Sequence, residues 1–537
     1  MYMTMPINLF FWFVCIVPIL LLLILMILFQ WGASKAAPFT LMITCILGLT
    51  LFKADLSVLS SELLKASWSS IGIILVILAA ILLYEIGTEA SAFITLNHLF
   101  TRLAPNELIR VFMIGISFAS FLQGITGFGV PVLIVAPLLL TMGVAPLYAV
   151  IIPLLGHSWA GTFGTLALGW EALLIQTAVV DRTLILNAIM YACVLLFSLA
   201  GLFNLVIAFM YGRKKAVKKG FVALTILTFV HGLGQMVVSL VIPELAVIVP
   251  SILSLVALTL LSRTSLYRET WRIEESPIMI RLNGNSTYKI ETPMTEKQAL
   301  LPYVMMISLS IVVLVVKPLR ILLSSFQWGP SFSRTQTGYG IVNPAVEIHA
   351  PLTLFTHVSF FLFVTCLVTY FYYRKKGLIK NHCFSRLTKK AIEKTISPGL
   401  AIFSLLCISR VMAGTGQTFV LATGIAMVMK EKYVLISPFI GLLGSFITGS
   451  NMTSNILFGD FQLHASQFIG LKTSLVLGAQ TAGGAIGTSI APGNIILGTT
   501  TAGILGSEGR VLIKLIPYTL IAAALFGLVL YIDFNWF

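Results

Sequence analysis

Ten times along this chain apolar residues run far enough to cross a bilayer with scarcely a charge among them. The runs fall at about 7–29, 37–52, 67–84, 183–210, 220–242, 244–261, 299–316, 352–373, 397–413 and 511–531. A helix needs about 20 apolar residues to span the hydrocarbon core. Lipid offers the backbone no hydrogen-bond partner, so spanning segments are helices or closed barrels, and runs of this length select helices. Two further spans, about 145–168 and 471–490, are interrupted by glycine, which brings the expected number of crossings to about twelve. Of 537 residues, 58% are hydrophobic and 10% charged, against about 25% charged in a soluble domain. The expected fold class is an all-α polytopic membrane protein.

The formal charge of +15 does not indicate nucleic acid. Residues 211–219 carry five Lys/Arg, 262–298 six and 374–396 eight, whereas 317–351 carries three. Two spans separate each basic loop from the next, so all three lie on one face. The excess of Lys and Arg makes that face cytoplasmic. The run Arg374 to Lys394 reads as a solvated loop near anionic lipid. The stretch 262–298, with Arg272, Glu274, Glu275, Asn283, Gly284 and Asn285, is polar and too short for a domain. Met1 to Phe29 lacks a basic leader and reads as a first transmembrane helix. Six cysteines show no paired spacing, so neither a disulfide framework nor a metal site is expected. Walker A, HExxH and nucleophile-elbow patterns are missing, so neither ATP-driven transport, a cofactor nor an enzyme is expected.

Two segments, 108–141 and 435–468, differ from the rest. Each holds two short apolar stretches joined by a small-residue break: Gly124-Ile-Thr-Gly-Phe-Gly-Val-Pro131 in one, Gly449-Ser-Asn-Met-Thr-Ser-Asn455 in the other. They read as re-entrant hairpins. A second break follows each, at Ser158 to Thr165 and at Thr481 to Thr488. Ser120 and Phe121 align with Ser445 and Phe446, and Gly164-Thr165 with Gly487-Thr488. An odd number of crossings separates the two sets, so the halves are expected to be inverted repeats. The organisation expected is scaffold helices 1–66, a first repeat 67–261, a cytoplasmic linker 262–298, scaffold and basic loop 299–396, and a second repeat 397–537. Segments 87–101 and 414–430 correspond and are expected to lie along the membrane.

Interrupted spans at matching places in two halves point to a transporter binding site. Ser450, Asn451, Thr453, Ser454 and Asn455 crowd the second tip; Thr126 with Gly124, Gly127 and Gly129 forms a sparer first one. Helices that start just after a break aim free N–H groups and a positive dipole end at it, which suits a small anion. The competing explanation is that small residues only permit close helix packing. The second breaks add Ser158, Thr162, Thr165, Thr481, Thr488, Ser489 and Asn494, where unwound backbone serves an anion through N–H or a cation through C=O. Among ionisable residues at membrane depth, His157 is a candidate proton relay or a packing histidine. Asp460 is a candidate coupling carboxylate or a hairpin-mouth group near water. Arg410 is a candidate partner for a substrate carboxylate or reaches the outer interface. His231 is read as packing, and Glu85, Glu89 and Glu171 as span-end groups that see water.

At these residues the sequence resembles the L-lactate permease family, which includes glycolate permeases. The likeness is carried by Phe121 to Pro131, Pro146 to Ala149, Ser437 to Gly441, Thr448 to Phe458, Thr481 to Gly484 and Ile490 to Pro492. It implies uptake of small 2-hydroxymonocarboxylates by symport with protons, in a bacterial or archaeal plasma membrane, and kinship with a superfamily of carriers with inverted repeats and paired hairpins that are often dimers. Two departures stand out. His157 occupies a position where better-known members carry Asn, and Gly487-Thr488 stands where they carry Gly-Lys. His157 is expected to supply the missing positive charge. Sodium-coupled carriage of another organic acid is the first rival reading; a passive anion facilitator is the second.

Overall fold

The computed structural model describes residues 5–29, 31–127, 129–177, 179–281, 293–380 and 383–536. Phe128, at the first tip, and residues 283–285 of the linker lie outside them. The fold is helical, as expected. Among the described residues strands are confined to the connection after Ser324, where Gln327–Trp328 pairs with Leu352–Thr353 and Thr335–Gln336 with Val342–Asn343. Nine helices among the described residues are long and apolar enough to cross a membrane, ten if the bent pair Pro146–Ala160 and Gly164–Leu174 counts as one. Two features account for much of the difference from twelve. The expected spans 183–210 and 220–242 lie in one helical run, Arg182–Ser239, of 58 residues. That run is broken by non-helical backbone at Gly212 and Arg213, and its halves fold back together, with Asn204 Nδ2 3.4 Å from Thr228 Oγ1. The expected span 352–373 becomes Val358–Lys375, whose last turn carries Arg374 and Lys375.

One order of elements occurs twice. Leu56–Glu89 leads to the short helix Ala92–Leu103, a hairpin, a broken helix and the long run from Arg182. Phe384–Gly414 leads to Gln417–Met429, a hairpin, a broken helix and Glu508–Trp536. The two leading helices pack antiparallel: Glu62 pairs with Arg410, Glu85 with Lys394 and Glu89 with Arg386. This corrects two expectations. The span expected at 397–413 begins at Phe384, so half of the basic loop is helix. Glu85, expected near water, is 6% exposed and paired.

The first hairpin joins Glu107–Ile125 to Val130–Thr141. Asn106 caps its start by accepting from the Leu108 and Ile109 amides. A π turn, Met113–Phe118, interrupts the first arm; such turns insert a residue and recur at functional sites. The second hairpin joins Tyr433–Thr448 to Asn451–Ile469 through Gly449, whose φ of +80° is the left-handed conformation that glycine adopts cheaply. The first broken helix runs Pro146–Gly156, a 3-10 turn Ser158–Ala160, then Gly164–Thr177, bent by 54°. The second runs Thr473–Thr488 and then Pro492–Thr501.

The second break therefore falls at 489–491, not in the glycine run Thr481 to Gly487. That run is helical. A Cβ on Gly483 would lie 2.0 Å from the Pro438 carbonyl oxygen, and one on Gly487 2.3 Å from that of Leu442. These glycines let the helix touch the first arm of the second hairpin backbone to backbone. Gly156 does the same in the other half, where a Cβ would lie 2.1 Å from the Gly115 oxygen. The described part of the linker before residue 282 is docked. Ser276 donates to the Tyr211 carbonyl at 2.6 Å, the Ala145 amide to the Ile278 carbonyl at 2.8 Å, and Arg281 makes two 2.8 Å bonds to Glu107 at the foot of the first hairpin.

Candidate functional site

Both hairpin tips and both helix breaks meet at one small, partly open cavity of about 40 Å³. Its wall takes Gln123 and Gly129 from the first hairpin, and Gly449, Ser450, Asn451 and Met452 from the second. From the broken helices come His157, Gly161, Gly164, Thr165, Leu168, Gly169, Thr488 and Asn494. Gly129 precedes Val130–Thr141, Ser450 precedes Asn451–Ile469, Leu168 begins the regular part of Gly164–Thr177 after three non-helical residues, and Asn494 is the third residue of Pro492–Thr501. Four helices thus begin at the cavity. Their leading N–H groups lack intrahelical acceptors and carry partial positive charge. Neither Lys, Arg, Asp nor Glu lines the wall; His157 is the titratable side chain there among the described residues.

The tips cross to each other's half. A Cβ on Gly129 would lie 2.4 Å from Leu497 Cδ1 and 2.9 Å from Asn494 Oδ1, both in the second half. Asn451 reaches the first half, its Nδ2 lying 3.5 Å from Thr162 Oγ1 and donating to Thr481 O at 3.0 Å. Asn455 Nδ2 donates to Gly169 O at 2.8 Å and to Thr481 Oγ1 at 3.0 Å, and Thr162 Oγ1 donates to Thr481 O at 3.1 Å. Behind them runs a chain the sequence did not announce. Tyr433 OH donates to Gln462 Oε1 at 2.6 Å, Gln462 Nε2 to Gln480 Oε1 at 3.0 Å, and Gln480 Nε2 to Ser454 Oγ at 3.1 Å. Each member is buried, and each satisfies another, so none is left as an uncompensated polar group.

The first break is strained. Thr165, Leu166 and Ala167 all have left-handed backbone, with φ of 52°, 55° and 63°. For residues with a Cβ this conformation costs about 1–2 kcal/mol each. Gly127, itself at φ +59°, abuts the turn, and a Cβ there would lie 2.0 Å from Thr165 Oγ1. His157 follows Gly156 with its amide on the Pro153 carbonyl; its side chain is 2% exposed and Nδ1 has no partner. Trp159 stacks on His231 with ring centres 4.3 Å apart and donates to Ser120 Oγ at 2.9 Å. Ser120 Oγ in turn donates to Gly156 O at 3.2 Å. His231 thus packs behind the break and not on the cavity.

Of the residues singled out from sequence, Gly129, His157, Thr165, Gly449, Ser450, Asn451, Thr488 and Asn494 line the cavity. Thr162, Ser454, Asn455 and Thr481 belong to the polar layer around it. Others face elsewhere. A Cβ on Gly124 would press on Ile248 at 2.8 Å. Thr126, Ser158 and Ser489 donate to their own helices, at Leu122 O, Leu154 O and Ile486 O. Thr453 is half-buried beside the tip. Asp460 lies in Asn451–Ile469, its side chain outside what the structure describes. Arg410 does not line the cavity; it pairs with Glu62, whose other oxygen accepts from Lys65 at 2.6 Å. Gln123, Leu168 and Gly169 were not foreseen, whereas Gly161 and Gly164 fall within the expected break. A larger groove between the halves of Arg182–Ser239, lined by Leu205, Val206, Phe209, Val217 and Phe221, is apolar apart from Lys214 and Lys218.

A polar cavity closed by hairpin tips and broken helices, inside a bundle of apolar helices, is the construction of an integral-membrane transport protein. Residues 12–535 match the L-lactate permease family, and the chain belongs to that family. An L-lactate permease of Halalkalibacterium halodurans is 26% identical over 97% of this chain and 95% of its own. The glycolate permease GlcA of Escherichia coli K12 is 24% identical over 96% and 94%. The L-lactate permease of the same strain is 24% identical over 95% and 94%. The crystal structure of the Alcanivorax borkumensis YdaH transporter aligns with 87% of this chain and 86% of its own at 14% identity and a TM-score of 0.34.

Proposed function

We propose that the protein imports a small 2-hydroxymonocarboxylate, L-lactate or glycolate, by symport with protons through alternating access. The observation that carries the reading is the meeting of four helix N-termini at a cavity without a fixed cation. Such ends favour a carboxylate by about 0.3–1 kcal/mol each, more where buried. The named substrates of the relatives agree with a small carboxylate. His157, on the wall with a free nitrogen, is the group through which a proton would be taken with the substrate. The repeated order of elements and the antiparallel leading helices support two inverted repeats, with the hairpins re-entrant from opposite faces. The basic loops 211–219, 262–298 and 374–396 would then lie in the cytoplasm.

Uptake of labelled L-lactate into proteoliposomes tests this, under an imposed proton or sodium gradient, each with and without the matching ionophore. Accumulation driven by protons supports the reading. Equilibration without accumulation replaces it with a facilitator.

Sodium coupling is a second reading, favoured by the left-handed turn Thr165 to Ala167. There the peptide carbonyls leave the regular ladder beside the cavity, as a bound cation requires. Accumulation driven only by sodium would select it.

A further inference from the structure

Gln123 sits in the wall of the cavity and is 9% exposed. Its Oε1 is buried without a hydrogen-bond partner, and among the described residues its Nε2 has none either. A buried amide left unmade costs about 1–3 kcal/mol for each unsatisfied group, so natural proteins seldom keep one without a ligand or water to meet it. The other amides at the cavity are held by their donor ends, and the unpartnered Asn451 Oδ1 lies against Gly484, where a Cβ would meet it at 1.9 Å. Asn451 donates to Thr481, and Asn494 donates to the Thr488 carbonyl at 2.8 Å. Gln123 lies over Gly164, where a Cβ would come within 3.0 Å of Nε2, so the missing side chain at 164 gives it room at the break.

Whichever way round its ends lie, the amide presents one acceptor and one NH2 donor group. A plain carboxylate has acceptors only, and so leaves the amide oxygen unmet. A keto group adds another acceptor and changes nothing. A hydroxyl beside the carboxylate supplies the donor that oxygen lacks. Resting on the carboxylate reading above, we propose that Gln123 reads the substrate's 2-hydroxyl group. It accepts from that hydroxyl while the carboxylate lies among the helix N-termini at Ser450 and Asn494. Gln123 is then the residue that separates 2-hydroxy acids from unsubstituted and 2-keto acids of the same size.

The test is competition against labelled L-lactate in proteoliposomes, using unlabelled L-lactate, propionate and pyruvate on the wild type, Gln123→Met and Gln123→Asn. Methionine keeps the volume without the amide; asparagine keeps the amide one carbon shorter. In the wild type L-lactate should compete at least about tenfold better than propionate, the size of one buried hydrogen bond. In Gln123→Met the ratio should fall toward one, chiefly by weaker L-lactate binding, with Gln123→Asn between. An unchanged ratio in Gln123→Met, with L-lactate uptake intact, overturns the role of Gln123 and leaves the transport reading standing. If Gln123→Met does not reach the membrane, the wild type decides: no preference over propionate overturns the inference. A wild type that takes up no L-lactate under either gradient overturns both.

Discussion

Asn451, at the tip of the second hairpin, donates from Nδ2 to the Thr481 carbonyl at 3.0 Å, thirty positions along the chain. The same nitrogen lies 3.3 Å from Thr481 Oγ1 and 3.5 Å from Thr162 Oγ1. One side chain therefore ties a hairpin tip to both broken helices.

Replacing it tests the site. Asn451→Ala removes one of two side-chain donors to the Thr481 carbonyl, the other being Thr162 Oγ1, at a cost of about 1 kcal/mol. The initial rate of L-lactate uptake per unit of protein in the membrane should drop at least about tenfold, with the amount of protein unchanged. Normal uptake would remove Asn451 from the mechanism.

His157 calls for two substitutions. Asn and Gln keep a polar side chain but carry no proton near neutral pH. Both should change the pH dependence of uptake. A pH profile like that of the wild type in both variants would remove His157 from proton coupling.

Gly483 is a matter of space. Gly483→Ala sets a methyl 2.0 Å from the Pro438 oxygen and 2.8 Å from its carbonyl carbon. Neither is the end of a flexible side chain, so the helices must part. About 1–3 kcal/mol of stability should be lost, seen as a lower melting midpoint of the solubilised protein. Gly399→Ala is the control, because its nearest neighbour, Ile74 Cγ1, is 3.7 Å away; its midpoint should hold or rise.

His349 gives a pH prediction. It sits in the connection before Val358, with Nε2 3.3 Å from Ser69 Oγ. Burial, then the charges of Arg410 and Lys65, hold it down to about 4 from the ordinary 6.5. Between those values the unfolded chain binds more protons than the folded one. The contribution of His349 to stability is therefore complete above about pH 6.5 and lost as pH falls toward about 4. Melting midpoints across that range should fall less steeply in His349→Gln. Identical slopes would count against it.

The sequence made the breaks legible because glycine in an apolar run is costly unless it is used. Gly127, Gly129 and Gly449 do adopt positive φ, and the cavity lies between them. The same signal misled at Thr481 to Gly487, where glycine serves close approach of two backbones instead of unwinding. Composition cannot separate those uses. Arg410 was ambiguous because its partner, Glu62, is 348 positions away, and a pairing at that distance leaves no local trace. Gln123 went unnoticed for a related reason. A single amide in an apolar stretch reads as tolerated polarity until its neighbours fail to bond it.

The two leading helices have a mechanical consequence. Leu56–Glu89 and Phe384–Gly414 are held at one end by Glu62 with Arg410, and at the other by Glu85 with Lys394 and Glu89 with Arg386. Sliding one past the other by a helical turn, about 5.4 Å, would part all three at once. Glu62 and Lys65 would then be buried without Arg410. The pair is a strut, pinned near both ends, that resists shear between the two helices.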